Sequence, residues 1–194
     1  YTIREYIRNF IMSKLETNTI DTVSGTTNLV IGSTNSSTVT FESGSPTGHM
    51  YPAFEAKRSS AQTLSHDTET KVAVDVEVFD TAGAYDASTN YRFTPQTAGK
   101  YYIYAQAVGE TAASQLKRYS LIIKRNGSNY KYMSNYFTNN EAYINNIFIG
   151  AVIDFNGSSD YVELFAKIEY ASSGTVKIDG GVSGPTFGGY RIGA

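Results

Sequence analysis

The stretch 74–105, VDVEVFDTAGAYDASTNYRFTPQTAGKYYIYA, decides the fold of this chain. Valines at alternate positions from Val72 to Val78 are typical of a half-buried strand. Tyr101, Ile103 and Ala105 alternate in the same way further along. Between these two runs, 80–90 is rich in Asp, Gly, Ser and Asn, which favour turns. The stretch therefore predicts strands joined by short turns.

The same pattern continues towards the C-terminus. The dipeptide Asn126-Gly127 predicts a tight hairpin, because both residues tolerate the positive φ of a type I′ turn. Many short strands separated by turns indicate an all-β sandwich or jelly roll of about ten strands. We predict strands near 52–57, 70–80, 90–94, 99–108, 117–125, 129–136, 142–154, 160–170, 175–179 and 186–192.

The spacing of aromatic residues and one glycine resembles the signature of the complement 1q globular head, a member of the tumour-necrosis-factor-like jelly-roll superfamily. Phe93 is followed after five residues by Gly99, and then by Tyr101 and Ile103 at alternate positions. Segments 53–56, 160–165 and 187–192 resemble the opening, penultimate and closing strands of that family. The resemblance covers roughly residues 50–194 and implies a jelly-roll head that forms a homotrimer.

In the resembled family, the sheet made of the first, third, sixth and last strands faces the threefold axis. The longest apolar strand, 143–155, would belong to that sheet, and Asn145 and Asn146 could pair there with their symmetry mates. The resemblance predicts trimer-interface residues along three segments. They are Tyr91, Phe93, Tyr143, Asn145, Phe148, Phe155, Phe187 and Tyr190.

Two shorter segments precede the head domain, which spans 51–194. Residues 1–17 have apolar side chains at helical spacing, which predicts a short amphipathic helix or anchor. The stripe consists of Ile3, Ile7, Phe10 and Leu15. Met12 opens a stretch that reads like a natural start, so 1–11 could equally be an upstream extension.

Residues 18–50 are rich in Ser, Thr, Gly and Asn, and they allow two interpretations. Such a composition is typical of a flexible linker. Two short runs of alternating apolar residues favour instead a β-stem in which three chains wind together, because one chain cannot bury so small an apolar face alone. The stem residues would be Leu29, Ile31, Val39 and Phe41.

Composition excludes several classes of site. The chain has no cysteine, which removes disulfides, thiolate metal sites and cysteine nucleophiles and favours assembly in a reducing compartment. It has 16 Lys and Arg against 18 Asp and Glu, without the basic cluster that nucleic-acid binding requires. No apolar run approaches the length of a membrane span.

The pattern of polar residues favours a protein without catalysis. The two histidines, His49 and His66, lie far apart in polar segments, and no nucleophile–base motif is present. We therefore expect no cofactor. Some members of the resembled family bind calcium through loop acids, which makes calcium the alternative. Its candidate ligands would be Asp154, Asp160 and Asp179.

Together these features favour a homotrimeric structural protein of a bacteriophage virion: a short fibre, a tail adhesin or a capsid decoration. Residues 1–50 would bind other virion proteins, and the head would face outward towards a host-surface glycan or protein. The chain lacks the Gly-X-Y collagen repeat of the vertebrate complement type. One alternative is a secreted or cell-surface trimeric binding module, located outside the cell. A further alternative is an enzyme whose site forms at a subunit boundary.

Overall fold

The computed structural model describes residues 52–172 and 174–193, which form two antiparallel sheets. The predicted helix stripe (Ile3, Ile7, Phe10, Leu15) and stem (Leu29, Ile31, Val39, Phe41) lie outside the described residues. The strands are β1 Ala53–Lys57, β2 Gln62–Leu64, β3 Thr70–Lys71, β4 Val76–Asp80, β5 Tyr85–Asp86, β6 Arg92–Phe93, β7 Gly99–Thr111, β8 Leu116–Arg125, β9 Ser128–Tyr136, β10 Ile144–Phe155, β11 Val162–Tyr170, β12 Val176–Ile178 and β13 Thr186–Gly193.

The first sheet has seven strands and is centred on β7. β10 pairs with β7 along almost the full length of both strands. β13 and β12 pair with β7 at successive positions, and β13 continues the sheet through β1 to β4. The second sheet has six strands in the order β5-β6-β11-β8-β9, with β3 also paired to β11. This is the predicted jelly-roll sandwich.

Strict alternation in β7 explains how one sheet faces both the core and the exterior. Tyr101, Ile103, Ala105 and Ala107 are fully buried, whereas the residues between them are half-buried or exposed. Successive side chains of a strand point to opposite faces, so a period of two places one set in the core. The facing sheet contributes buried side chains from β8 and β11. These are Leu116, Tyr119, Leu121, Ile123, Val162, Leu164, Ala166 and Ile168.

Stacked aromatic rings fill one end of the core. The ring centroid of Phe54 lies 4.1 Å from that of Phe93 and 5.2 Å from that of Phe187. Phe155 packs edge-on against Tyr101 at 5.2 Å. Aromatic pairs in these geometries add to the stabilisation that burial provides.

This aromatic core corrects three of the predicted interface residues. Phe93 and Phe187 expose 0% of their surface and Phe155 exposes 2%, so none of them offers a side chain to a partner. All three residues do lie in predicted strands, but β6 belongs to the six-stranded sheet, not to the sheet of β10 and β13. The inward parity of each strand places the phenylalanine between the sheets. The prediction of an interface role for these three residues is wrong.

The predicted strand 70–80 is divided into β3 and β4. Val72 and Val74 are both buried, and the Val74 N–H donates to the Val72 carbonyl at 3.0 Å, which bends the chain there. Asp75 lies in the resulting bend and accepts hydrogen bonds from the Ser59 amide and hydroxyl. Simple alternation would place Asp75 and Glu77 on the same face of one strand, but the bend separates Asp75 from the strand that contains Glu77.

The predicted Asn-Gly hairpin is confirmed. Asn126 has φ 50° and Gly127 has φ 79°, and they join β8 to β9. Among the described residues, no helix is long and apolar enough to cross a membrane.

Candidate functional site

The outward face of the seven-stranded sheet carries an unusual set of apolar side chains. We call it the aromatic face and define it by residues of β7, β10 and β13. They are Tyr102, Tyr104, Ile144, Phe148, Val152 and Tyr190. Phe148 is 57% exposed, Val152 49% and Tyr190 46%. Exposed apolar side chains grouped in this way mark an interaction surface.

Strand register arranges these residues in rows across the sheet. Val152 of β10 and Tyr190 of β13 both pair with Tyr102 of β7, one on each side. The ring of Tyr102 lies 5.8 Å from that of Tyr190 and 6.1 Å from that of Tyr104. The three tyrosine rings thus form one contiguous patch.

Two glycines allow the tyrosine rings to lie close to the backbone. In the row centred on Tyr104, Gly150 and Gly188 are its partners on either side. A Cβ at Gly188 would lie 2.5 Å from the Tyr104 hydroxyl oxygen, and one at Gly150 would lie 2.5 Å from that of Tyr102. Any larger residue would displace these rings, so the glycines keep the aromatic face flat.

The aromatic face has one anchored polar group. The Tyr104 hydroxyl donates a hydrogen bond to Glu55 Oε2 at 2.8 Å. Burial, together with the neighbouring carboxylate, raises the pKa of Tyr104 above its usual range, so the phenol stays neutral at ordinary pH. The interaction fixes the ring orientation.

The outward face of the other sheet differs in character, because ion pairs lie across it beside two exposed tyrosines of β9, Tyr132 at 41% and Tyr136 at 62%. The ion pairs are Lys71–Glu163 at 2.5 Å, Lys124–Glu69 at 2.7 Å, Lys167–Asp67 at 3.1 Å, Arg118–Glu169 at 3.3 Å and Arg118–Asp67. Paired charges keep such a surface hydrated at little cost. The two outward faces therefore differ in how much paired charge they carry.

Strands β9 and β10 form one lateral edge of the sandwich. The Tyr130 hydroxyl of β9 donates to the Val152 carbonyl of β10 at 2.9 Å, and Asn135 Nδ2 donates to Asn145 Oδ1 at 2.8 Å. Asn145 thus has an intrachain partner. Tyr130 is 46% exposed and extends the apolar surface around this edge.

The remaining predicted interface residues are placed as follows. Tyr143, Phe148 and Tyr190 are exposed, and the latter two lie on the aromatic face. Tyr91 belongs to the β5–β6 hairpin of the other sheet, away from β7, β10 and β13. The prediction missed Tyr102, which is the centre of the patch.

Strand alternation contained the signal for these missed residues. Tyr101 and Ile103 were assigned to one face, and Tyr102 and Tyr104 necessarily occupy the other. Two adjacent tyrosines on an outward face are more apolar than a solvated strand requires. The sequence thus indicated that Tyr102 and Tyr104 share one face of the strand, although it did not show whether that face points outward.

The three candidate calcium ligands do not form one site. Asp154 pairs in register with Lys100 on β7, whereas the Asp179 N–H bonds to the Val108 carbonyl, eight residues further along the strand. That separation is about 27 Å. Asp160 is bound by Arg125 at 2.9 Å and by Asn126 at 2.7 Å. Within 52–172 and 174–193, no three His, Asp or Glu residues are grouped to hold a metal.

No family model matches this sequence, and no curated protein is significantly similar to it. Solved structures, however, share its architecture. The globular domain of zebrafish complement 1qA is 19% identical with a TM-score of 0.50, over 73% of this chain and 97% of that domain. Murine APRIL, crystallised at pH 5.0, is 11% identical with a TM-score of 0.55, over 73% of this chain and 99% of that protein.

These similarities confirm the fold that the sequence predicted. The chain contains a jelly-roll domain of the type shared by the complement 1q and tumour-necrosis-factor families. At these identities the likeness concerns architecture alone, since one fold supports many functions.

Proposed function

We propose that this chain is a non-enzymatic homotrimeric binding module that serves as a structural protein of a bacteriophage virion. Its aromatic face would form the contact between subunits, and its head would be presented outward to a host surface. The observation that carries the trimer is the contrast between the two outward faces: the aromatic face groups apolar side chains side by side, whereas on the other face ion pairs separate the exposed tyrosines of β9.

The size of the aromatic face supports association. Four of its apolar side chains are about half exposed, and burying the exposed half of each provides about 1 kcal/mol; they are Ile144, Phe148, Val152 and Tyr190. That amounts to roughly 4 kcal/mol for each subunit, before the smaller contributions of Tyr102, Tyr104 and the edge residues are counted. Each of the two association steps that form a trimer costs about 4–15 kcal/mol in lost freedom, so the roughly 12 kcal/mol from three such faces offsets the lower part of that range.

The virion role rests on the segment before the head. Residues 18–50 combine Ser, Thr and Gly with alternating apolar residues, as in the stems of phage fibres and spikes, and no collagen repeat is present. In this proposal residues 1–50 attach the trimer to other virion proteins. A short fibre, a tail adhesin and a capsid decoration all agree with these features.

The native mass of the protein tests the trimer. Light scattering on the whole chain and on the fragment 51–194 should give three subunits in both cases. A trimer in the whole chain alone would assign assembly to residues 1–50, and a monomer in both would refute the proposal.

A separate measurement tests the virion role. Mass spectrometry of purified virions that encode this chain should detect it at the copy number of a trimeric component. A chain found only in the secreted fraction of the cells would refute this role and favour a secreted binding module of the same fold.

A further inference from the structure

An open cleft of about 330 Å³ lies at the β5–β6 hairpin of the six-stranded sheet. Polar side chains dominate its lining, including Asp86, Asn90, Arg92, Thr94 and Gln96. Its volume lies at the lower end of the range for small-ligand pockets. None of its lining residues belongs to the aromatic face.

Arg92 is the cation of this cleft, and its side chain is held in place by an aromatic ring. Its guanidinium carbon lies 4.4 Å from the centroid of the Tyr161 ring. The acid opposite it in register, Glu163, instead binds Lys71 at 2.5 Å. Among the described residues, no carboxylate forms an ion pair with Arg92, so its N–H groups remain available for a ligand carboxylate.

The neighbouring acid of the cleft is already fully engaged. Asp86 accepts backbone hydrogen bonds from Ser88, Thr89 and Asn90 at 2.9–3.1 Å, and its carboxylate also binds the Ser88 hydroxyl and the Asn90 amide. These donors hold the pKa of Asp86 well below its usual range, so the carboxylate stays ionised, and they leave it few free lone pairs. Asp86 therefore stiffens the hairpin and leaves anion recognition to Arg92.

The backbone between these two residues is strained. Tyr91 has φ 50°, a conformation that bulky residues rarely adopt. Such outliers persist where the surrounding structure enforces them, and they are concentrated at binding sites. Here the strained residue directly precedes Arg92 and joins it to the loop that Asp86 fixes.

The amide groups of the cleft can accept hydrogen bonds from hydroxyls. Asn90 uses its NH₂ group to bind Asp86, and Gln96 uses its own to bind the Thr94 carbonyl at 2.9 Å. Their side-chain oxygens therefore remain as acceptors towards a ligand. A carboxylate for Arg92 combined with hydroxyls for Asn90 and Gln96 describes an acidic sugar.

We propose that this cleft binds the carboxylate-bearing sugar of an acidic glycan, with the Arg92 guanidinium donating hydrogen bonds to the carboxylate. The inference deepens the proposed contact with a host surface by naming the ligand class. It does not require that the aromatic face forms a trimer.

Saturation-transfer NMR on the full chain tests the proposal with a matched pair of probes. Methyl glucuronoside and methyl glucoside differ only in the carboxylate that replaces a hydroxymethyl group. We expect the glucuronoside to bind at least about tenfold more tightly, and more weakly at high salt, because one charged bidentate contact distinguishes them. Equal signals from both sugars would overturn the assignment of Arg92.

Two variants test the role of Arg92 directly. Arg92→Gln should lose about tenfold or more in glucuronoside affinity, whereas Lys131→Gln, an exposed β9 residue with the same charge change, should bind as the natural chain does. N-acetylglutamate amide should bind weakly, because it offers no hydroxyls. If it binds as tightly as the glucuronoside, or if Arg92→Gln retains full affinity, the proposal is wrong.

Light scattering on the same samples separates this proposal from the trimer. A monomer that binds glucuronoside would refute the trimer and leave the cleft intact. A trimer that binds neither sugar would refute the cleft alone.

Discussion

Substitution of Val152 by Asp should dissociate the trimer without unfolding the subunit. Val152 is 49% exposed in the single chain and pairs with Tyr102 at the centre of the aromatic face. The variant would lose about half the burial energy of a valine, roughly 1 kcal/mol. It would also bury an uncompensated carboxylate, which costs about 3–5 kcal/mol.

Threefold symmetry multiplies this cost. At about 4–6 kcal/mol for each subunit, the trimer loses roughly 12–18 kcal/mol, and each 1.4 kcal/mol is a tenfold change in affinity. We expect a monomer at micromolar concentration in light scattering, with a native far-ultraviolet circular dichroism spectrum. A second variant, Phe148→Asp, should behave in the same way.

Val182→Asp is the matched control, because Val182 is fully exposed in the short 3-10 turn at Gly181–Ser183. It carries the same change in polarity and charge outside the aromatic face, and it should remain trimeric. If Val152→Asp and Phe148→Asp both remain trimeric, the aromatic face is not the subunit contact and the reasoning fails.

Three further predictions concern the stability of the head, measured by urea unfolding. Gly157→Ala should cost more than about 2 kcal/mol, because φ is 72° and the added Cβ would lie 2.3 Å from the Ala98 nitrogen. Gly83→Ala is the control and should cost only about 1 kcal/mol, because Gly83 has a similar φ of 61° but lies in open space. Equal costs for the two variants would contradict the steric argument. Tyr119→Phe should cost about 1 kcal/mol by removing the buried hydrogen bond to the Ala107 carbonyl, and an unchanged midpoint would argue against that bond. Asn126, Arg125 and the Asn156 amide hold the pKa of Asp160 below its usual value, so the stabilisation is present above about pH 4 and is lost as the pH falls through the folded pKa. Asp160→Asn should therefore lose about 1–2 kcal/mol at pH 7 and progressively less as the pH falls through the folded pKa, and a pH-independent loss would refute the charge argument.

The sequence was sufficient to predict most of the strands. Alternation around Tyr101 and Ile103 identified β7, and the Asn126-Gly127 dipeptide identified the β8–β9 hairpin. Both signals are local, since side-chain parity and turn dihedrals depend on a few adjacent residues. The short strands β2 and β5 escaped prediction because they have only three and two residues.

The interface residues were predicted less well. Phe148 and Tyr190 do lie on an exposed face, but Phe93 and Phe187 lie in the core beside Phe54. In the sequence, a phenylalanine on the core face of a strand cannot be distinguished from one on the exposed face. Only the packing of the second sheet fixes which parity of each strand is inside.

The sequence by itself determined the strand pattern, the turns and the alternation that makes an all-β head. Tertiary structure alone decided that Tyr102 and Tyr190 meet across β7 and β13, and that Arg92 lies over Tyr161 beside the loop held by Asp86. These contacts join residues far apart in the chain. They depend on strand register and sheet packing, which local propensity does not encode.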